Sequence, residues 1–102
     1  MIEEQIRELE NLTKYLREKD KNIISKAINF SENAHKNQLR KSGDPFITHP
    51  IEVAKILTSI NLDSSAIAAG LLHDTIEDTK MSVQDITDSF GLQISELVQG
   101  LT

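Results

Sequence analysis

The sequence predicts an all-α fold, a bundle of five or six helices. Three observations carry that expectation. Apolar residues recur at steps of three and four along most of the chain, the period of one helix face. Alternation of apolar and polar residues never lasts long enough for a strand. Asp, Ser, Asn, Gly and Pro fall between the apolar runs, where helices start and stop.

The elements follow in order. Ile2, Ile6, Leu9, Leu12 and Leu16 form the apolar stripe of a first helix. Ile23, Ile24, Ala27, Ile28 and Ala34 form a second, which Asp20 is suited to cap. Residues 38–48 break the pattern with Gly43 and Pro45 and predict a loop. Pro50 suits the first turn of a third helix with Val53, Ala54, Ile56, Leu57 and Ile60 on its apolar face and Asn61 as its stop. A fourth starts at Asp63 or Ser64 and carries Ala66, Ala68, Ala69, Leu71 and Leu72. Ser82 caps a short fifth that ends at Gly91. Leu92, Ile94, Leu97, Val98 and Leu101 mark a sixth. Its apolar face needs a partner surface, either the other helices or a further part of the domain.

Composition narrows the function. At 102 residues the chain is one domain at most, with no linker or internal repeat. It has no cysteine, which excludes a disulfide scaffold, a thiolate metal site and a Cys nucleophile. A net charge of −5 argues against nucleic-acid binding, which needs a basic surface. No apolar run approaches the roughly 20 residues that cross a membrane. The acidic N-terminus is unlike a secretory signal, so a cytoplasmic location is the default expectation.

Three clusters can carry chemistry. The first is His73-Asp74 with Glu77 and Asp78, which share one face if the helix runs that far. Acids gathered at a helix C-terminus oppose the macrodipole and repel one another, and a cation offsets both effects. Imidazole with carboxylate suits Zn, Mn or Fe. Upstream on the same face, Ala66, Ala69 and Gly70 let another element come close. A lone His-Asp pair more often marks a solvated helix end. The second is His49, 24 residues before His73, a separation that lets an antiparallel hairpin set the two side by side. Alone it reads as a helix-start residue with a hydrogen-bonded ring. The third is Arg40-Lys41-Ser42-Gly43, two cations beside a flexible Gly, suited to a phosphorylated ligand or to an exposed turn.

Taken together, these clusters resemble a known family. The stretch from Ala34 through His35, Gln38, Arg40, Lys41, Ser42, Gly43 and Pro45 to His49-Pro50 is similar to the opening signature of the bacterial RelA/SpoT-type (p)ppGpp hydrolase domain. Gly70-Leu71-Leu72-His73-Asp74-Thr75-Ile76-Glu77-Asp78-Thr79 resembles its second signature, and Gly91 to Thr102 a third. The resemblance covers residues 23–102. It implies an HD-domain-like all-α bundle, truncated relative to the family, with residues 1–102 as the N-terminal portion of the hydrolase domain. It implies Mn²⁺ held by His49, His73 and Asp74, with Glu77 and Asp78 as the catalytic acids beside the attacking water. It implies that Arg40 meets the guanine base, that Lys41 and Ser42 help hold the nucleotide, and that the reaction removes the 3′-pyrophosphate of guanosine tetra- or pentaphosphate in the stringent response.

Asn37 stands where the family usually has Gly, and Phe46 where Tyr is common. The family's fourth metal ligand is an Asp in a later helix, which residues 1–102 do not reach. Two functional classes therefore stand side by side. One is a hydrolase domain that is incomplete, and weak or inactive, as this chain alone. The other is a non-catalytic remnant that binds guanosine nucleotide or a partner chain. Apolar faces short of partners predict a homodimer or a complementary chain.

Overall fold

A computed structural model of the protein describes residues 2–101, with the side chain of Glu77 outside the described set. It is all helical. The helices are α1 (Ile2–Leu12), α2 (Glu18–Ala34), α3 (Thr48–Ser59), α4 (Ser64–Leu72), α6 (Val83–Phe90) and α7 (Leu92–Leu101), with α5 (Thr75–Asp78) a single turn. Among the described residues there is no strand, only one isolated bridge pair, Leu39 with Pro45, that closes the loop before α3.

The bundle is built around α4. Every residue from Ile67 to Leu72 is buried, and a helix apolar on all sides belongs inside a core. Helices α2, α3 and α7 pack around it, α1 lies on α3, and α6 lies on α7. Burial of Leu9, Ile24, Ile51, Ile67, Leu71, Ile86 and Val98 makes one continuous core.

Local chemistry explains where the helices begin and end. The Asp63 carboxylate accepts the Ala66 N–H and starts α4. Ser82 and Asp85 form a reciprocal capping box on α6. Asn61, at φ 57°, turns the chain out of α3, a left-handed conformation that Asn tolerates better than most residues. Asn37, at φ 69°, does the same after α2. The sequence resemblance has Gly at this position, and Asn is among the residues that tolerate the same left-handed backbone.

Three sequence expectations need correction. Asp20 does not cap α2, which starts at Glu18 behind an uncapped Arg17; its carboxylate instead accepts the Ser64 hydroxyl at 2.9 Å. In α1, Leu12 faces solvent and Leu16 lies past the helix end. In α3 the buried stripe is Ile51, Ala54 and Thr58, and Ile56 and Ile60 are exposed. At 3.6 residues per turn, Ile56 sits about 140° round from Ile51. Ile60 and Ile56, with Leu97 and Leu101 on α7, leave apolar surface open to solvent. Between α3, α4 and α7, Leu57, Leu62, Ala66, Ala69 and Leu97 line a groove of about 340 Å³. No described helix is long and apolar enough to cross a membrane.

Candidate metal centre

The hairpin of α3 and α4 places the site. The two helices run antiparallel, so His49 at the start of α3 meets His73 just past the end of α4. Gly70 makes the approach close: a Cβ there would stand 2.6 Å from Leu57 Cδ1 and 3.4 Å from Val53 Cγ1. Of the small stripe read from the sequence, Gly70 meets α3, while Ala66 and Ala69 line the groove between α3, α4 and α7.

The helix does not run unbroken to Asp78. It stops at Leu72, and His73 keeps helical angles. Asp74 then shifts to φ −86°, ψ −8° before the α5 turn. The Thr75 hydroxyl donates to the Leu72 carbonyl at 2.7 Å, satisfying an acceptor at the break. The Asp74 carboxylate faces both imidazoles.

The distances are short. Asp74 Oδ2 lies 3.3 Å from His49 Nε2 and 3.2 Å from His73 Nε2. One ligand atom from each of the three residues falls within 4.8 Å of the other two. The rings of His49 and His73 meet at 5.6 Å and 61°.

Hydrogen bonding sets the state of His73. Its Nδ1 lies 2.5 Å from the Gly70 carbonyl oxygen. A carbonyl only accepts, so Nδ1 carries a proton and Nε2 is the ring atom that faces Asp74. Asp74 Oδ2 is buried and has no hydrogen-bond partner. The three residues form a candidate metal site. Two imidazole nitrogens and a carboxylate oxygen are the donors a divalent cation takes. The carbonyl behind His73 is the outer contact that orients a ligating imidazole.

The other sequence-singled residues stand further out. Asp78 is exposed, and its N–H donates to the Asp74 carbonyl at 3.0 Å, which hangs the α5 turn on Asp74. Glu77 lies in that turn, its side chain outside the described residues. Arg40 donates from Nη1 to the Thr48 hydroxyl at 3.2 Å and to Glu52 at 3.3 and 3.4 Å. Thr48 adjoins His49, so the guanidinium is fixed one residue from a candidate ligand. Lys41 and Ser42 are exposed on the loop, and the Ser42 hydroxyl donates to Asp44 at 2.9 Å. None of the described contacts joins Lys41 or Ser42 to the His–Asp cluster.

Sequence reading missed Glu52, His35 and Gln38 as site residues. Glu52 is four positions after Thr48 on α3, a spacing that marks it as a partner for a residue near the helix start. His35 and Gln38 are three apart where α2 ends.

Comparison with known proteins agrees with this geometry. A family model described as HD domain matches residues 27–102. The chain belongs to the HD-domain family. This HD domain is 46% identical over 91 residues to the GTP pyrophosphokinase of Myxococcus xanthus, an alignment covering 89% of this chain and 12% of that protein. It is 45% identical over 94 residues to the GTP pyrophosphokinase rsh of Brucella melitensis, covering 92% and 12%. Among solved structures it superposes with TM-score 0.74 on a metazoan ortholog of SpoT that hydrolyses ppGpp, at 30% identity over 78% of this chain and 47% of that one. The chain thus spans about an eighth of those curated relatives and about half of the solved chain. The RelA/SpoT resemblance of the signatures is matched by relatives of that type.

Proposed function

We propose that this HD domain is of the (p)ppGpp 3′-pyrophosphohydrolase type, with His49, His73 and Asp74 as ligands of a divalent cation, Mn²⁺ by family resemblance. The observation that carries the reading is the convergence of two imidazole nitrogens on the buried, donor-free Asp74 oxygen. A bound cation supplies a water of lowered pKa and polarises a phosphoryl oxygen. Asp78 and Glu77, on the turn hung from Asp74, accept the proton of the attacking water or orient it. Water adds across the 3′ ester P–O bond and yields the nucleoside 5′-diphosphate or triphosphate and pyrophosphate. Arg40 offers a planar face and a fork of donors to the guanine nucleotide. Glu52 holds that guanidinium in one pose, which lowers the ordering cost of binding. Lys41 and Ser42 add a cation and a hydroxyl for phosphate. The three candidate ligands among the described residues leave positions for water and supply one carboxylate, so a modest cation affinity is expected.

The three-ligand set also favours a second reading, in which the chain binds guanosine nucleotide without turnover. Incubation with Mn²⁺ and ppGpp separates the two. The hydrolase reading expects slow release of pyrophosphate that chelation abolishes. Retention of nucleotide without release supports the second reading. Neither release nor Mn²⁺-dependent retention would overturn both.

A further inference from the structure

His35 belongs to neither the proposed ligands nor the proposed substrate loop, yet it is 3% exposed beside the site. Its ring lies within Coulomb reach of Asp74, Asp78 and His73. It stacks on Phe46 at 4.5 Å and 28°. Phe46 in turn meets the His49 ring edge-on at 6.2 Å and 70°.

The hydrogen bonds assign its tautomer. The Gln38 amide group donates from Nε2 to the Asp78 carbonyl at 2.8 Å. That carbonyl only accepts, so the NH₂ end of Gln38 faces it and Oε1 faces His35. His35 Nδ1 lies 3.3 Å from that oxygen and so carries the proton. The Nε2 lone pair remains, buried and without a donor. Burial holds the imidazole below its usual pKa, which keeps it neutral. The backbone repeats the connection: Phe46 N–H donates to the Gln38 carbonyl at 2.9 Å and His49 N–H to the Phe46 carbonyl at 3.0 Å.

We propose that His35 is a positioning residue of the metal centre, holding the acidic α5 turn through Gln38 and the His49 ring through Phe46. It rests on the metal reading above and deepens it. A histidine suits the place because one flat ring provides both an aromatic face and an N–H in its plane. Phe keeps only the face. The two arms end on different segments, one at Asp78 in the α5 turn and the other at His49 in α3. Losing the N–H releases Gln38, one of the contacts that hold the α5 turn, whose first residue follows Asp74. Packing alone would be served equally by any flat ring of similar size.

The test uses Co²⁺ as probe, titrated by visible absorption, and imidazole ¹⁵N NMR of the metal-free protein. His35→Phe keeps the stack and loses the donor. Gln38→Leu keeps the ring and cuts the link to Asp78. Each is expected to weaken Co²⁺ binding about tenfold, the size typical of contacts behind a metal ligand, with helicity unchanged. In the wild type the NMR is expected to show His35 as the Nδ1–H tautomer, lost to a mixture in Gln38→Leu. A His35→Phe protein that binds Co²⁺ like wild type overturns the proposal, and so does an Nε2–H tautomer at His35. If His35→Phe does not fold, Gln38→Leu decides, because Gln38 is only half-buried. If the wild type fails to bind Co²⁺ at millimolar concentration, the metal reading falls. The tautomer measurement still decides the His35–Gln38 link.

Discussion

Replacing Asp74 by Asn is expected to lower divalent-cation affinity by about 100-fold or more, beyond what outer contacts contribute. The same change is expected to leave the metal-free protein at least as stable as wild type. The two effects have opposite signs because they act on different atoms of one arrangement. The carboxylate supplies the only negative charge among the three candidate ligands. An amide oxygen keeps the shape and loses the charge. In the metal-free protein, however, Oδ2 is a buried acceptor with no hydrogen-bond partner. An Asn amide can present N–H there and form the missing bond, which contributes about 1 kcal/mol. Calorimetric titration with Mn²⁺ and thermal melting of the metal-free proteins check both halves. Unchanged affinity removes Asp74 from the ligand set. A large loss of stability would make the carboxylate a structural group instead.

Gly70→Leu is expected to destabilise the fold by roughly 2 kcal/mol through overpacking and to weaken cation binding with it. The added side chain meets Leu57 and Val53 where even a Cβ is tight. Helices α3 and α4 must then separate, and His49 moves away from His73. Gly70→Ala is the control. Its Cβ presses only on the mobile end of Leu57, and helix propensity offsets that by about 1 kcal/mol. Urea unfolding of the two variants measures the difference, and Co²⁺ titration measures the site. A Gly70→Leu protein within half a kcal/mol (about the scatter of neutral surface changes) of wild type would mean that the hairpin is looser than its contacts indicate.

Much of this was legible in the sequence because local rules acted alone. Ser82, Asp63, Asn61 and Gly91 each mark a helix boundary by their own chemistry, whatever packs nearby. The His49–His73 pairing followed from one helix length, one short loop and one helix length back. What escaped reading depended on tertiary partners. Asp20 has cap chemistry, but Ser64, 44 residues away, takes its carboxylate. Ile56 and Ile60 fit an apolar periodicity, yet α4 packs on the neighbouring stripe of α3. The break at Asp74 carries no Pro or Gly to announce it. It is visible only as a backbone shift at Asp74. Arg40 read as a free cation because Glu52, which holds it, lies across the loop on α3. The Gln38–Asp78 contact spans 40 residues and has no local signature.

The central claim is that His49, His73 and Asp74 hold one divalent cation together. Pulsed electron paramagnetic resonance of Mn²⁺ with excess protein tests it most directly, because nuclear modulation counts the nitrogens bound to the metal. Two imidazole nitrogens are expected in the wild type, and one in either His49→Ala or His73→Ala. A spectrum of hydrated Mn²⁺ without nitrogen coupling, or coupling that survives both substitutions unchanged, would contradict it.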